Sequence, residues 1–99
     1  MPFKILFAPD ARDQIKHLSA RDRSIIADAV DIQLTYQPNV PTKNRKQLRP
    51  NNLATWELRI GEYRVYYDLD APEHASRIIA LGKKDHAKVW INGKEYWLT

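Results

Sequence analysis

The stretch Thr55–Asp70, T-W-E-L-R-I-G-E-Y-R-V-Y-Y-D-L-D, constrains the fold of this chain more than any other. β-Branched and aromatic residues alternate with polar ones on both sides of Gly61-Glu62, which predicts two strands joined by a tight turn. Gly-X suits a two-residue type II′ turn, because glycine takes positive φ at the first central position without steric cost. That turn sets the register: Ile60 faces Tyr63, Arg59 faces Arg64, Leu58 faces Val65, Glu57 faces Tyr66 and Trp56 faces Tyr67. Opposed residues share a face of a sheet. One face therefore carries Trp56, Leu58, Ile60, Tyr63, Val65 and Tyr67 and belongs to a core, while the other carries Glu57, Arg59, Arg64 and Tyr66.

On that second face two arginines stand directly opposite each other. Like charges in a cross-strand pair destabilise a sheet by an amount comparable to the ~0.2–1 kcal/mol that a favourable pair contributes. An anion lying between the guanidiniums relieves that cost. Neutralisation by Glu57 and Asp68, as neighbours on a solvated face, relieves it equally well.

The charge of the chain is concentrated in the same region. The net charge of +4 lies wholly within residues 43–66, where Lys43, Arg45, Lys46, Arg49, Arg59 and Arg64 stand against Glu57 and Glu62; the flanking segments are each neutral. A localised basic block is the electrostatic footprint of a polyanion binder, although solvated loops are often basic too. The 99 residues make one domain, 1–99, and 43% apolar residues with interspersed charge mark it as globular. With no cysteine, disulfides and thiolate chemistry are excluded. No apolar run has the length of a membrane span, and the start M-P-F-K-I-L-F-A lacks the pattern of a signal peptide, so a cytoplasmic protein with no membrane partner is expected.

Along the chain, Phe3, Ile5 and Phe7 mark a first strand over residues 3–8, ended by Pro9. Asp10 is expected to cap a short helix ending near His17-Leu18. Ser19, with Asp22 three residues later, starts a second helix over Arg21–Tyr36, stopped by Pro38 and Pro41. The two form a helical hairpin whose apolar side covers one face of the sheet. Residues 37–54 show no periodicity and read as a long, basic loop around the apolar anchor Leu48. After the central hairpin, Arg77–Leu81 is a third antiparallel strand, and Asn92-Gly93 between apolar runs predicts a C-terminal β-hairpin. The fold class is thus α+β: a small antiparallel sheet with an N-terminal helical hairpin on one face, plus a C-terminal β-hairpin.

Three segments taken in this order carry a resemblance: Lys46-Gln-Leu48-Arg49, Leu58-Arg59-x-Gly61-x-Tyr63-Arg64-Val65-Tyr66-Tyr67, and Gly82-Lys83-Lys84. Up to about Trp90 the chain resembles the RelE/ParE superfamily of toxins from type II toxin–antitoxin modules. The resemblance implies a fold similar to microbial ribonucleases. It also implies a cognate antitoxin as partner, and for RelE-like members cleavage of mRNA in the A site of the small ribosomal subunit, with no metal or other cofactor. ParE-like members share the fold but inhibit DNA gyrase by binding, and a member that has lost catalytic activity is a third reading.

Metal-free cleavage needs a cationic clamp on the scissile phosphate and acid–base groups for the attacking and leaving oxygens. The resemblance places Arg64 as the phosphate-binding arginine, Arg59 where some members hold substrate with a lysine, and Lys84 where RelE has a second arginine. The alternative for Arg64 is a surface arginine paired with Asp68 or Glu57. His86 is the expected acid–base group, because His86-Ala87-x-x-Trp90 is similar to the His-Ala-x-x-Phe of the YafQ branch; otherwise it is a solvated loop histidine. Lys43, Arg45, Lys46 and Arg49 are expected to hold RNA backbone, Tyr66 to donate a hydrogen bond and Trp90 to stack on a base, or else to pack in the hairpin. Glu57 departs from RelE, which has a lysine there: a carboxylate repels the phosphate unless it serves as the base.

Overall fold

The computed structural model describes residues 1–85, 88–91 and 94–96. The element order is β1 (Lys4–Phe7), α1 (Pro9–Lys16), α2 (Ala20–Leu34), β2 (Arg45–Gln47), β3 (Trp56–Ile60), β4 (Tyr63–Asp70), β5 (Ala75–Asp85), β6 (Lys88–Ile91) and β7 (Lys94–Tyr96). Strands β2 to β7 lie side by side in chain order as an antiparallel sheet. The long strand β5 shares one edge between two partners: its first residues pair with β1, in parallel, and its last with β6. The expected antiparallel sheet is therefore present, with one parallel strand added.

The β3–β4 hairpin has the register read from the sequence, Ile60 opposite Tyr63 through Trp56 opposite Tyr67. Gly61 sits at φ +58° and Glu62 has no positive φ, as a type II′ turn requires. The core face is also as read. Trp56, Leu58, Val65 and Tyr67 pack with Ile78 and Leu81 of β5 against Ala11 of α1 and Ile26, Val30 and Leu34 of α2.

Both helices begin where the local chemistry demands. Ser19 caps α2, its hydroxyl accepting from the Asp22 N–H at 3.1 Å. At α1 the expected cap is displaced: Ala8 is the N-cap and Pro9 opens the helix, since proline lacks the N–H that would be unsatisfied there anyway. Asp10 lies in the first turn instead, favourable for the helix dipole. The expectation of an unstructured segment over residues 37–54 also needs correction. Arg45–Gln47 forms β2, pairing Arg45 with Leu58, Lys46 with Glu57 and Gln47 with Trp56. The C-terminal hairpin is present as β6 and β7, with Ile91 opposite Lys94; its Asn92-Gly93 turn lies outside the described residues. No helix among the described residues is long and apolar enough to cross a membrane.

Candidate functional site

Strand alternation sorts the expected site residues by face. Arg59 and Arg64 are paired in register, Gly82 of β5 stands on the other side of Arg64, and Glu57 is flanked by Lys46 and Tyr66. Lys84, two residues beyond Gly82, lies on the same face. The second face thus gathers Lys46, Glu57, Arg59, Arg64, Tyr66 and Lys84, with Gly82 beside Arg64.

This face is not the open surface the sequence suggested. Leu48, Ala54, Tyr66, Ala80 and Ile91 form a second apolar cluster on it, with Leu53 and Ile79 packed alongside. Asn51 holds the covering loop in shape: its amide donates to the Arg49 and Ala54 carbonyls, and its oxygen accepts from the Leu53 and Ala54 N–H groups. On the same face Glu57 is 8%, Arg64 6% and Tyr66 0% exposed. Tyr66 cannot reach RNA from there, so its expected contact with substrate is corrected: it is a buried member of the site's floor.

The three buried polar groups are poorly satisfied. Arg64 donates through Nη1 to the Gly61 and Tyr63 carbonyls, both at 2.8 Å, while its Nε is 3.9 Å from Glu57 Oε1. Among the described residues the Tyr66 hydroxyl has no hydrogen bond of good geometry, and the Glu57 carboxylate lies close enough to act on it as an acceptor as well as through its charge. Burial pushes the Arg64 pKa down; Glu57 opposes that shift and the charge on Arg59 adds to it, so the two guanidiniums feel each other. Burial, then the Glu57 charge, pushes the Tyr66 phenol up, which keeps it a proton donor. Asp68, the other expected partner of Arg64, is occupied elsewhere: its Oδ1 accepts from the Thr55 N–H at 2.7 Å.

Around this buried group stand exposed cations. Among the described residues no carboxylate lies within 4.0 Å of Lys43, Lys46, Arg49, Arg59 or Lys84. Lys46, Arg59 and Lys84 share the face of Arg64. Arg49 lines an open concavity of about 450 Å³ with Asn51, Asn52 and Asp68, at the end of the hairpin away from the Gly61 turn.

Two further expectations are overturned by register. Arg45 pairs with Leu58 and so points to the helix-covered face. There it donates to the Val40 carbonyl at 3.0 Å, the Gln33 carbonyl at 2.8 Å and Gln33 Oε1 at 2.9 Å. Helix α2 has no basic residue in its last turn, and Arg45 supplies from β2 the donor that its terminal carbonyls lack. It is a structural clamp, not a phosphate ligand. Trp90 pairs with Lys83, and Lys83 with Tyr63, which sets all three on the helix-bearing face. Trp90 is 41% exposed there, lining a cleft of about 320 Å³ with His17, Leu18, Tyr63 and Lys83. It is separated from the arginine pair by the sheet, so the expected stacking of a base beside that pair is corrected. His86 lies outside the described residues.

The sequence reading did not recognise Glu57, Arg64 and Tyr66 as a buried cluster. A signal for it existed: Leu48, Ala54 and Ala80 supply small and apolar residues to a face read as solvated.

No protein-family model matches the chain, and no curated protein matches it. Among solved structures it is similar to a chain of the toxin-antitoxin complex RelBE2 from Mycobacterium tuberculosis. That likeness has a TM-score of 0.70 at 22% identity, covering 85% of this chain and 100% of that one. At that identity the likeness speaks for the fold, and the fold implied by the RelE/ParE resemblance is the one this chain adopts.

Proposed function

We propose that this chain is the toxin of a type II toxin–antitoxin module and acts in the cytoplasm as a metal-free mRNA endoribonuclease on the ribosome. The observation that carries the reading is the pairing of Arg59 with Arg64 on one face, with Gly82 beside Arg64 and with exposed Lys46 and Lys84 at the rim. Arg59, Lys46 and Lys84 meet the RNA backbone from solvent. Arg64 stabilises charge on the scissile phosphate from below, where its partial burial strengthens the interaction. Among the described residues its Nη2 makes no hydrogen bond, while Nη1 is anchored to the turn. A cognate antitoxin is the expected protein partner, and a cationic face favours an acidic segment of that partner as its cover.

The test is primer extension on transcripts after induction, beside a gyrase supercoiling assay with purified protein. Wild type is expected to cut mRNA and to leave supercoiling unaffected, while the Arg59→Ala, Arg64→Ala double variant keeps its fold and no longer cuts. Growth arrest with intact transcripts and blocked supercoiling would establish the gyrase-inhibitor reading instead. Harmless expression of the wild-type chain would establish loss of toxicity.

A further inference from the structure

We propose that the outer side of α2 is a self-association surface, on which a second copy of this chain seats its own α2 in the antiparallel sense. Helix α2 is apolar on two sides. Ile26, Val30 and Leu34 are buried against the sheet, whereas Ile25 is 45%, Ile32 72% and, just past the helix, Tyr36 70% exposed, with Ala29 partly buried between them. Thr35 keeps right-handed helical dihedrals, so Tyr36 continues the line of this stripe. Four of the six large apolar side chains exposed among the described residues, Ile25, Ile32, Tyr36 and Val40, lie on α2 or just beyond it. The far end of the patch is pinned: the Pro38 carbonyl accepts from the Tyr67 hydroxyl, and the Val40 and Gln33 carbonyls accept from Arg45. A helix apolar on two sides normally has both covered, and a rigid apolar stripe loses little conformational freedom when a partner covers it.

Spacing, charge and dipole all select a second copy as the occupant. Ile25, Ala29, Ile32 and Tyr36 recur at intervals of four, three and four, a pattern that reads the same in both directions. An antiparallel copy therefore meets it in register, Ile25 against the partner's Tyr36 and Ala29 against the partner's Ile32, with a small residue opposite a large one in both inner layers. The net charge of +4 lies in residues 43–66, while α2 carries Arg21 and Arg23 against Asp22, Asp28 and Asp31. Two cationic molecules thus approach on this side with the least repulsion. Helix α2 has no basic residue in its last turn, and the antiparallel copy brings Arg21 to that end, beside the Tyr36 ring. The helices cover the sheet face opposite Arg59 and Arg64, so the pair leaves both cationic faces open.

The experiment is sedimentation velocity of the purified chain over a wide concentration range. A two-helix contact buries less than about 1,200 Å², so a monomer–dimer equilibrium with Kd on the order of 10–100 µM is expected. Ile32→Glu places a carboxylate in both inner layers and is expected to weaken dimerisation by about 100-fold or more. Because Ile32 is exposed in the monomer, the far-UV circular dichroism of that variant should match wild type. Trp90→Ala, which removes an exposed apolar side chain away from α2, should leave the equilibrium unchanged. The chain has no cysteine, so introduced ones report the register. An oxidised mixture of the Ala29→Cys and Ile32→Cys variants should give the mixed disulfide dimer in excess over either variant alone. A chain that stays monomeric throughout the range, or a dimer indifferent to Ile32→Glu, would overturn the inference. Cross-linking within each variant in preference to the mixed dimer would overturn the antiparallel arrangement. None of these outcomes bears on the nuclease reading.

Discussion

Adjacent residues Arg45 and Lys46 show how far side-chain direction, rather than charge, decides the role of a cation in this chain. On β2 they point to opposite faces, Arg45 into the carbonyls of Gln33 and Val40, Lys46 out beside Glu57. Arg45→Ala removes three part-buried hydrogen bonds to Gln33 and Val40 and is expected to cost about 2 kcal/mol in urea denaturation. Lys46→Ala is expected to leave stability within ~0.5 kcal/mol of wild type. Under the proposed function its effect falls on RNA binding, where the slope of log affinity against log salt should fall by about one. The opposite pattern is expected at Tyr66. Because its buried hydroxyl has no hydrogen bond of good geometry among the described residues, Tyr66→Phe should lie within about 1 kcal/mol of wild type in the same denaturation experiment. A clear loss of stability in that variant would mean that the hydroxyl is satisfied in solution and the cluster is merely structural.

Secondary-structure elements differ in how legible they were, and the differences have physical causes. The β3–β4 hairpin was readable residue by residue because two local signals agree: alternation that assigns faces, and a glycine that fixes the turn. Nothing within 4 Å would obstruct a Cβ at Gly61, so Gly61→Ala isolates the backbone term: an L-residue at φ +58° should cost about 1 kcal/mol, measured as a shift in the urea midpoint with unchanged slope. Strand β2 was not readable. Arg-Lys-Gln has no apolar alternation, and what makes it a strand is non-local, pairing with β3 and the anchoring of Arg45 to α2. The same limit applied to the site. The arginine pair and its partner Glu57 followed from register, but the covering loop, held by Asn51 and seated through Leu48 and Ala54, did not. Trp90 was misplaced for a different reason: its position was taken from resemblance, whereas β5–β6 pairing puts it level with Lys83 and on the helix side.

The molecule as a whole is a sheet with apolar packing on both faces, and consecutive tyrosines of β4 pin one face each. Tyr67 is buried under the helices, its hydroxyl donating to the Pro38 carbonyl at 2.7 Å and its ring stacked on Trp56. Tyr66 is buried in the second cluster. Burial is the main cause that raises both phenol pKa values above the ordinary 10.0. The folded chain therefore holds two protons that the unfolded chain loses near pH 10. Their contribution to stability is complete below pH 10 and declines as pH rises above it, by about 2.7 kcal/mol per pH unit for two such groups. Phenolate absorbance and far-UV circular dichroism recorded together through an alkaline titration check this. The last two of the five tyrosines should ionise only as secondary structure is lost, and Tyr66→Phe and Tyr67→Phe should each remove one of them. Ionisation of all five with the sheet intact would mean that one of the two faces opens to hydroxide without unfolding. If only the Tyr66 phenol behaved so, the apolar cluster of Leu48, Ala54 and Ala80 over it would be the part that opens.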